Sequence, residues 1–470
     1  MSDADHLPAR GEAPQSATSD STTKMRPAGA RPFFSRIFGS LAGAARSRTP
    51  ANLRDARRAI ALCHVLLSER GEVSGLRLAR EVLSAYQSFD ALTLEAFFDL
   101  LVKEFSPEPQ EITRAIEMYR QDSSQTNLVR LRAVLEGSRQ ELFRRCNIAP
   151  GGTGMLVQMR HQLLTTLPEH PERAGIDADL LHLFRSWFNR GFLVLQRIDW
   201  RTSALVLERL IRYEAVHQIQ GWNDLRRRLE ADRRCYAFFH PAFPDEPLIF
   251  IEVALTRGLS AKVQPLLDPN SLIIDAATAN CATFYSTTNC QEGLRGVSFG
   301  NSLIKQVVED LGRELPRLRT FGTLSPIPGF REWLDTSGDT RNRSPQLTAL
   351  LARLDGRDPQ APLAIPPHLR DELTRLCAHY LLHAKHEKAP LDPVARFHLA
   401  NGARLQRLNW LGDTSENGVQ RSVGLMVNYV YHAREMDRNH EAYAKDYRIV
   451  ASHELERLAR QSGVARTRGA

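Results

Sequence analysis

The sequence predicts an α+β protein in which an N-terminal all-α helical bundle precedes a mixed α/β domain. Three observations carry that expectation. Between residue 52 and about 191, apolar residues recur at helical spacing with no alternating strand pattern among them. From about Trp187 onward, short runs rich in β-branched and aromatic residues alternate with helical stretches. Within that second part, residues 281–323 read as strand, glycine-spaced turn, amphipathic helix and strand.

Length and composition set the outer limits. A chain of 470 residues is long enough for two or more domains, each with its own core. No run of about 18 uninterrupted apolar residues occurs, so neither a transmembrane helix nor integral membrane association is expected. The formal net charge of +8 comes from 62 basic and 54 acidic residues spread along the chain. Without a basic platform interleaved with aromatics, that excess points away from nucleic acid and is compatible with a polyanionic small ligand. Cys63, Cys146, Cys235, Cys281, Cys290 and Cys377 lie far apart, without C-x-x-C or zinc-ligand spacing, and read as reduced, buried thiols.

Taken in order, residues 1–49 are rich in Ala, Ser, Pro and Gly and read as a disordered tail. The basic, Phe-containing part at 24–48 also fits a transit or membrane-touching segment, but Asp3, Asp5 and Glu12 favour a flexible cytosolic tail. A helical domain is assigned to 50–188. Its stripes include Ala59, Leu62, Val65 and Leu66, then Leu92, Phe97, Leu100, Leu101 and Phe105, then Leu128, Leu131, Val134 and Leu135. It carries no catalytic constellation, so packing or oligomerisation is its expected role. The second domain is assigned to 189–470. Strands are expected at 192–195, 235–239, 248–255, 281–286, 318–323, 405–411 and 422–431, with a Pro-rich loop and a short helix at 339–367.

The chemistry concentrates in residues 291–331. Gly296 and Gly300 let the backbone pass close to a ligand, and residues 297–301 present amides at the start of a helix. The apolar face of that helix is Leu303, Ile304, Val307, Val308 and Leu311. Such a helix start suits an anion such as phosphate. The turn matches neither the Walker lysine loop nor the dinucleotide fingerprint.

Strand, turn, helix and strand in this order, with the turn Arg295-Gly296-Val297-Ser298-Phe299-Gly300, resemble the acyl-CoA site of the GNAT superfamily of N-acetyltransferases. There the turn amides hold the CoA pyrophosphate, and two splayed parallel strands receive pantetheine. Further strings narrow the resemblance: SPIPGF at 325–330, PVARFHLANG at 393–402, and LNW at 408–410 followed by GLMVNY at 424–429. Together they are similar to the malonyl-CoA decarboxylase family over residues 186–431. The resemblance implies a GNAT-like mixed α/β catalytic domain, conversion of malonyl-CoA to acetyl-CoA and CO2 in fatty acid metabolism, and a homotetramer. It implies no cofactor, because the thioester itself accepts the electrons.

By the same carry-over, Arg295, Gly296, Val297, Ser298, Phe299, Gly300 and Asn301 bind malonyl-CoA, Ser325 contacts the malonyl group, and His398 donates a proton. Imidazole suits proton transfer near neutrality. Read without the family, a lone His between Phe397 and Leu399 is more often structural, and Ser325 before Pro326 fits an ordinary turn. Asn428 and Tyr429 are further candidates for the acyl pocket. His379 and His383 stand at i and i+4, a zinc spacing, but no third ligand is apparent and no metal is expected. Two other functions fit the same fold: a GNAT-type acyl-CoA-dependent acyltransferase, which needs an acceptor amine pocket, and a non-enzymatic acyl-CoA sensor, against which the presence of both Ser325 and His398 argues. The sequence ends without a peroxisomal tripeptide and uses Arg far more than Lys, which favours the bacterial cytoplasm, with the mitochondrial matrix as alternative.

Overall fold

Residues three and four apart share a helical face, and in the first part of the chain those faces meet one another. The computed structural model describes residues 50–297, 299, 303–337, 343–355 and 363–464. The tail at 1–49 and Ser298, Gly300 and Asn301 of the glycine turn lie outside them. The first part comprises α1 (Ala51–Ser68), α2 (Glu72–Gln87), α3 (Ala91–Phe105), α4 (Pro109–Gln121), α5 (Gln125–Ile148), α6 (Gly152–Thr166) and α7 (Ala174–Trp187). Ala59, Leu62 and Leu66 of α1 and Phe97, Leu101 and Phe105 of α3 are buried. Asp90 caps α3 by accepting from the Thr93 amide at 2.8 Å.

One stripe departs from the expectation. Leu128, Leu131 and Val134 are only half-buried and Leu135 is exposed. Gly137, at φ +66°, breaks α5 directly after them, so the buried face of its second half, with Leu142, Phe143 and Cys146, does not continue the first.

The second part runs β1 (Val194–Ile198), α8 (Ala204–Tyr213), α9 (Trp222–Arg228), β2 (Arg233–Phe239), β3 (Ile249–Thr256), α10 (Gln264–Leu267), β4 (Cys281–Asn289), α11 (Leu303–Glu314), β5 (Thr320–Thr323) and β6 (Ser325–Pro326). It continues with α12 (Phe330–Thr336), α13 (Pro345–Asp355), α14 (Pro367–His383), the short hairpin β7 (Lys385–His386) and β8 (Ala389–Pro390), α15 (Pro393–Ala400), β9 (Arg404–Asn409), α16 (Glu416–Ser422), β10 (Met426–Tyr431), α17 (Met436–Asp446) and α18 (His453–Arg460). The strand expected at 422–431 is shorter than the sequence suggested. Ser422 closes α16 instead, its hydroxyl donating to Gly418 O and Leu425 O, and the chain passes through Val423 at φ +54° before β10 begins. Both parts belong to one compact unit that starts at Ala51.

The large sheet is ordered β1-β2-β3-β4-β5-β10-β6, with β9 paired to β10. Its neighbours are antiparallel except β4 and β5, which run parallel from Cys281↔Thr320 to Phe284↔Thr323. Helix α11 makes the crossover between them. Its buried residues Leu303, Ile304, Val307, Val308 and Leu311 pack with Ile251, Val253 and Phe284 in the main core. Parallel pairing stops at Phe284 and Thr323. Strand β4 runs on to Asn289, whereas the chain after Thr323 turns to pair with β10 at Ser325↔Val427. A cleft therefore opens at the carboxyl ends of the parallel strands, where such sheets take ligands.

Because Leu311 is fully buried between helix and sheet, Leu311→Ala is expected to cost about 2–5 kcal/mol of stability, read as a lowered urea midpoint.

Candidate active site

His398 is placed by a helix whose start is written in the sequence. Asp392 accepts from the Ala395 amide at 2.7 Å as the N-cap of α15, and Pro393 follows at the first position, where no N–H is needed. Asp392 is itself buried, with the Tyr380 hydroxyl donating to its other oxygen at 3.4 Å. Burial raises its carboxyl to about 6, against the lowering effect of the Ala395 and Val394 amides.

At the far end of α15, His398 is buried against the cleft. Its Nε2 lies 3.0 Å from Ser325 Oγ and its Nδ1 lies 2.7 Å from the Tyr431 hydroxyl. The Tyr429 ring stacks on the imidazole, with centroids 4.6 Å apart and planes at 28°. Tyr429 and Tyr431 are two apart on β10 and so reach the same side of the sheet.

Burial also decides the protonation state. It pulls the imidazole from 6.5 down to about 3, so the ring is neutral at ordinary pH and carries one N–H. Among the described residues, Nδ1 is the acceptor within reach of the Tyr431 hydroxyl, so Tyr431 donates there. The ring proton then sits on Nε2 and points at Ser325 Oγ, whose own hydroxyl donates to Thr323 Oγ1 at 2.8 Å. Thr323 Oγ1 accepts in addition from the Tyr429 amide at 3.1 Å. The protons of Tyr431 Oη, His398 Nε2 and Ser325 Oγ thus each have an acceptor.

Ser325 and His398 face a cavity of about 210 Å³, whose walls include Val216, Phe284, Ser286, Val394 and Phe397 and, among the described residues, contain no Lys, Arg, Asp or Glu. A carboxylate stands just behind that wall. Ser286 Oγ donates to Glu214 Oε2 at 2.7 Å, and Glu214 accepts as well from the Val216 and His217 amides at 2.7 Å each. A larger cavity of about 710 Å³, lined by Glu214, His217 and Asp413, adjoins across Val216. The Ser–His pair opens into the smaller one.

In the described part of the glycine turn the Val297 amide donates to Leu294 O at 2.9 Å, so it is not free for a ligand as the sequence suggested. Arg295 and Gly296 are exposed, Val297 is buried, and Phe299 packs partly buried against the main core. Gly296 sits at φ +83°, a backbone state that side chains resist. The two additional pocket candidates serve otherwise. The Asn428 amide donates to Thr323 O at 2.6 Å and Ser260 O at 3.1 Å and accepts from Asn409 Nδ2 at 2.9 Å, which ties β10 to its neighbours. Asn428 and Tyr429 do not line the small cavity; Tyr429 meets it only through the imidazole it stacks on. His379 bonds through Nδ1 to Ser462 Oγ at 3.2 Å, and no third histidine, cysteine or acidic group joins His379 and His383 among the described residues. All six cysteines are buried.

Sequence reasoning passed over Thr323, Tyr431, Glu214 and Ser286. A signal existed for one of them: in Asn428-Tyr429-Val430-Tyr431, strand alternation already sets the two tyrosines on one face. The others are defined by contacts across the fold and leave no local trace.

The family described as malonyl-CoA decarboxylase C-terminal domain matches residues 191–468, and the one described as malonyl-CoA decarboxylase N-terminal domain matches residues 105–188. A solved malonyl-CoA decarboxylase from Rhodopseudomonas palustris is 49% identical, with a TM-score of 0.81, over 86% of this chain and 99% of that one. Another, from Agrobacterium vitis, is 46% identical, with a TM-score of 0.78, over 85% of this chain and 99% of that one. A mitochondrial malonyl-CoA decarboxylase of Anser anser anser is 38% identical over 356 residues, which is 69% of this chain and 70% of that relative.

Two outcomes follow from the geometry of α15. Asp392→Ala should lower stability by about 1 kcal/mol through the lost cap, while Asp392→Asn, which keeps an acceptor oxygen for the Ala395 amide, should lose less; urea denaturation of the two variants side by side tests this. The depressed imidazole sets the second. The unfolded chain takes a proton on His398 near pH 6.5 and the native state only near 3, so native stability is lost as pH falls through that window. Urea midpoints followed from pH 7 to 4 should drop less steeply in His398→Asn than in the unaltered protein.

Proposed function

This chain belongs to the malonyl-CoA decarboxylase family of carboxy-lyases, and on that premise we propose that Ser325 and His398 together convert malonyl-CoA to acetyl-CoA and CO2. The observation that carries the reading is the 3.0 Å contact between Ser325 Oγ and His398 Nε2 beside a cavity whose described wall residues carry no charged side chain. In the reaction the Cα–carboxylate bond breaks, its electron pair moves into the thioester carbonyl as an enolate, and CO2 leaves. The Nε2 proton of His398 then goes to Cα. The Tyr431 hydroxyl, donating to Nδ1, stabilises the charge left on the ring until solvent returns the proton.

Ser325 is read as the group that orients the departing carboxylate. An unassisted serine is a poor base, and here its proton is already committed to Thr323. A carboxylate in such a cavity meets no cation among the described wall residues, whereas the enolate transition state spreads the charge away from it, so these surroundings favour cleavage over the bound ground state. The thioester carbonyl is the electron sink, so this route needs no cofactor.

The nucleotide end of CoA is assigned to Arg295, Gly296, Val297, Ser298, Phe299, Gly300 and Asn301, through the backbone amides of the turn other than that of Val297, which Leu294 O already takes. Residues 189–470 are read as the catalytic domain and residues 50–188 as the oligomerisation domain of a homotetramer. Action in fatty acid metabolism, in the bacterial cytoplasm or alternatively the mitochondrial matrix, rests on the family alone. No helix among the described residues is long and apolar enough to cross a membrane.

Purified protein given malonyl-CoA without an amine should release acetyl-CoA and CO2 in equal amounts. His398→Ala should lower kcat by about 10²- to 10⁴-fold with CoA affinity little changed, and Ser325→Ala should raise KM and lower kcat. Unaltered turnover in either variant would remove that residue from the mechanism, and acyl transfer that depends on an added amine would replace the reading with an acyltransferase.

A further inference from the structure

We propose that Arg160, on α6 of the N-terminal part, is a positioning residue for CoA that sets the shape of the turn at 293–297. This deepens the assignment of the nucleotide to that turn and rests on it. Arg160 is 2% exposed and lies 133 residues before the turn it meets. Its Nη1 donates to Gly293 O at 2.8 Å and to Arg295 O at 2.7 Å, while Nε donates to Asp177 Oδ1 at 2.7 Å. The carbonyl between those two, Leu294 O, accepts from the Val297 amide at 2.9 Å. Three successive carbonyls are thereby committed.

The consequence follows from the planarity of the peptide bond. In a trans peptide the C=O of one residue and the N–H of the next point in opposite directions. Holding Arg295 O against Arg160 aims the Gly296 N–H the other way, onto the side where Arg295 and Gly296 are exposed. The Gly296 amide, in the turn assigned to the nucleotide, is thus oriented by a cation that does not itself face the ligand.

Packing leaves little freedom for another arrangement. A Cβ on Gly293 would lie 2.0 Å from Val157 O, so the turn sits directly on the backbone of α6. Asp177 balances the buried charge, and the guanidinium fork serves that carboxylate and two carbonyls together, which a lysine ammonium on a flexible stem does less well. By linkage, bound CoA should in turn strengthen the contact between α6 and the turn.

The test uses the full chain as Arg160→Met, Arg160→Lys, Asp177→Asn and Gly296→Val, with calorimetric Kd for CoA and steady-state rates on malonyl-CoA and on malonyl-pantetheine, which lacks the nucleotide. Arg160→Met is expected to raise Kd for CoA and KM for malonyl-CoA roughly tenfold, leaving kcat, its pH profile and the kcat/KM for malonyl-pantetheine within about twofold. Arg160→Lys should recover part of the loss, and Asp177→Asn, which keeps both carbonyl bonds, should lose less than Arg160→Met. An unchanged Kd in Arg160→Met, or an equal loss on both substrates, overturns the positioning role. Should Arg160→Met fail to fold, Arg160→Lys against Asp177→Asn makes the same comparison. Gly296→Val separates the two levels: wild-type CoA affinity there would sink the assignment of CoA to the turn itself, whereas loss there with none at Arg160 would sink only the positioning role.

Discussion

An imidazole kept away from water is the constraint on which the rest of the site depends. Desolvation holds His398 neutral, and neutrality means that a single ring proton must be shared out among fixed partners. Tyr431, Ser325 and Thr323 supply those partners in an unbroken line. The nearby carboxylates are prevented from upsetting this state by being occupied elsewhere. Glu214 accepts from two amides and from Ser286, and Asp392 accepts from the first turn of α15. Such a buried hydrogen-bond line is rigid, because breaking any one link leaves a donor or acceptor uncompensated in a low dielectric.

Strand β10 is the piece that lets this line exist. Its residues alternate in role as they alternate in direction. Asn428 locks the strand to β5 and β9, while Tyr429 and Tyr431 hold the imidazole from the other side. Because β10 pairs with β5 and then with β6, it draws Ser325 away from β4 and opens the cleft that a continued parallel pair would close. The sheet break and the catalytic geometry on the proposed reading are one event.

The helical part is joined to the turn after β4 through a buried arginine. Arg160 reaches the turn after β4, much as Arg173 joins α7 to α3 through Glu95 and Asp99. Guanidinium groups suit this task because they remain charged when buried and donate along several directions at once. The glycine turn therefore has two neighbours of different kinds, a helix start on one side and a charged anchor in the first part of the chain on the other.

The sequence by itself determined the local elements and pointed to Ser325 and His398 as candidates. Helical stripes, strand runs, the face of α11 and the strings around Ser325 and His398 all repeat over a few residues, and a period of 3.6 or 2 is legible wherever one face is buried. Where a stripe misled, as at Leu128, Leu131, Val134 and Leu135, a single glycine broke the face without changing the composition around it. The tertiary structure alone decided which groups meet. Ser325 and His398 are 73 residues apart, His398 and Tyr431 are 33 apart, and Arg160 and Arg295 are 135 apart. Such contacts depend on how sheet and helices stack, and the burial that makes His398 neutral is produced by that stacking, so neither can be read from any one stretch of chain.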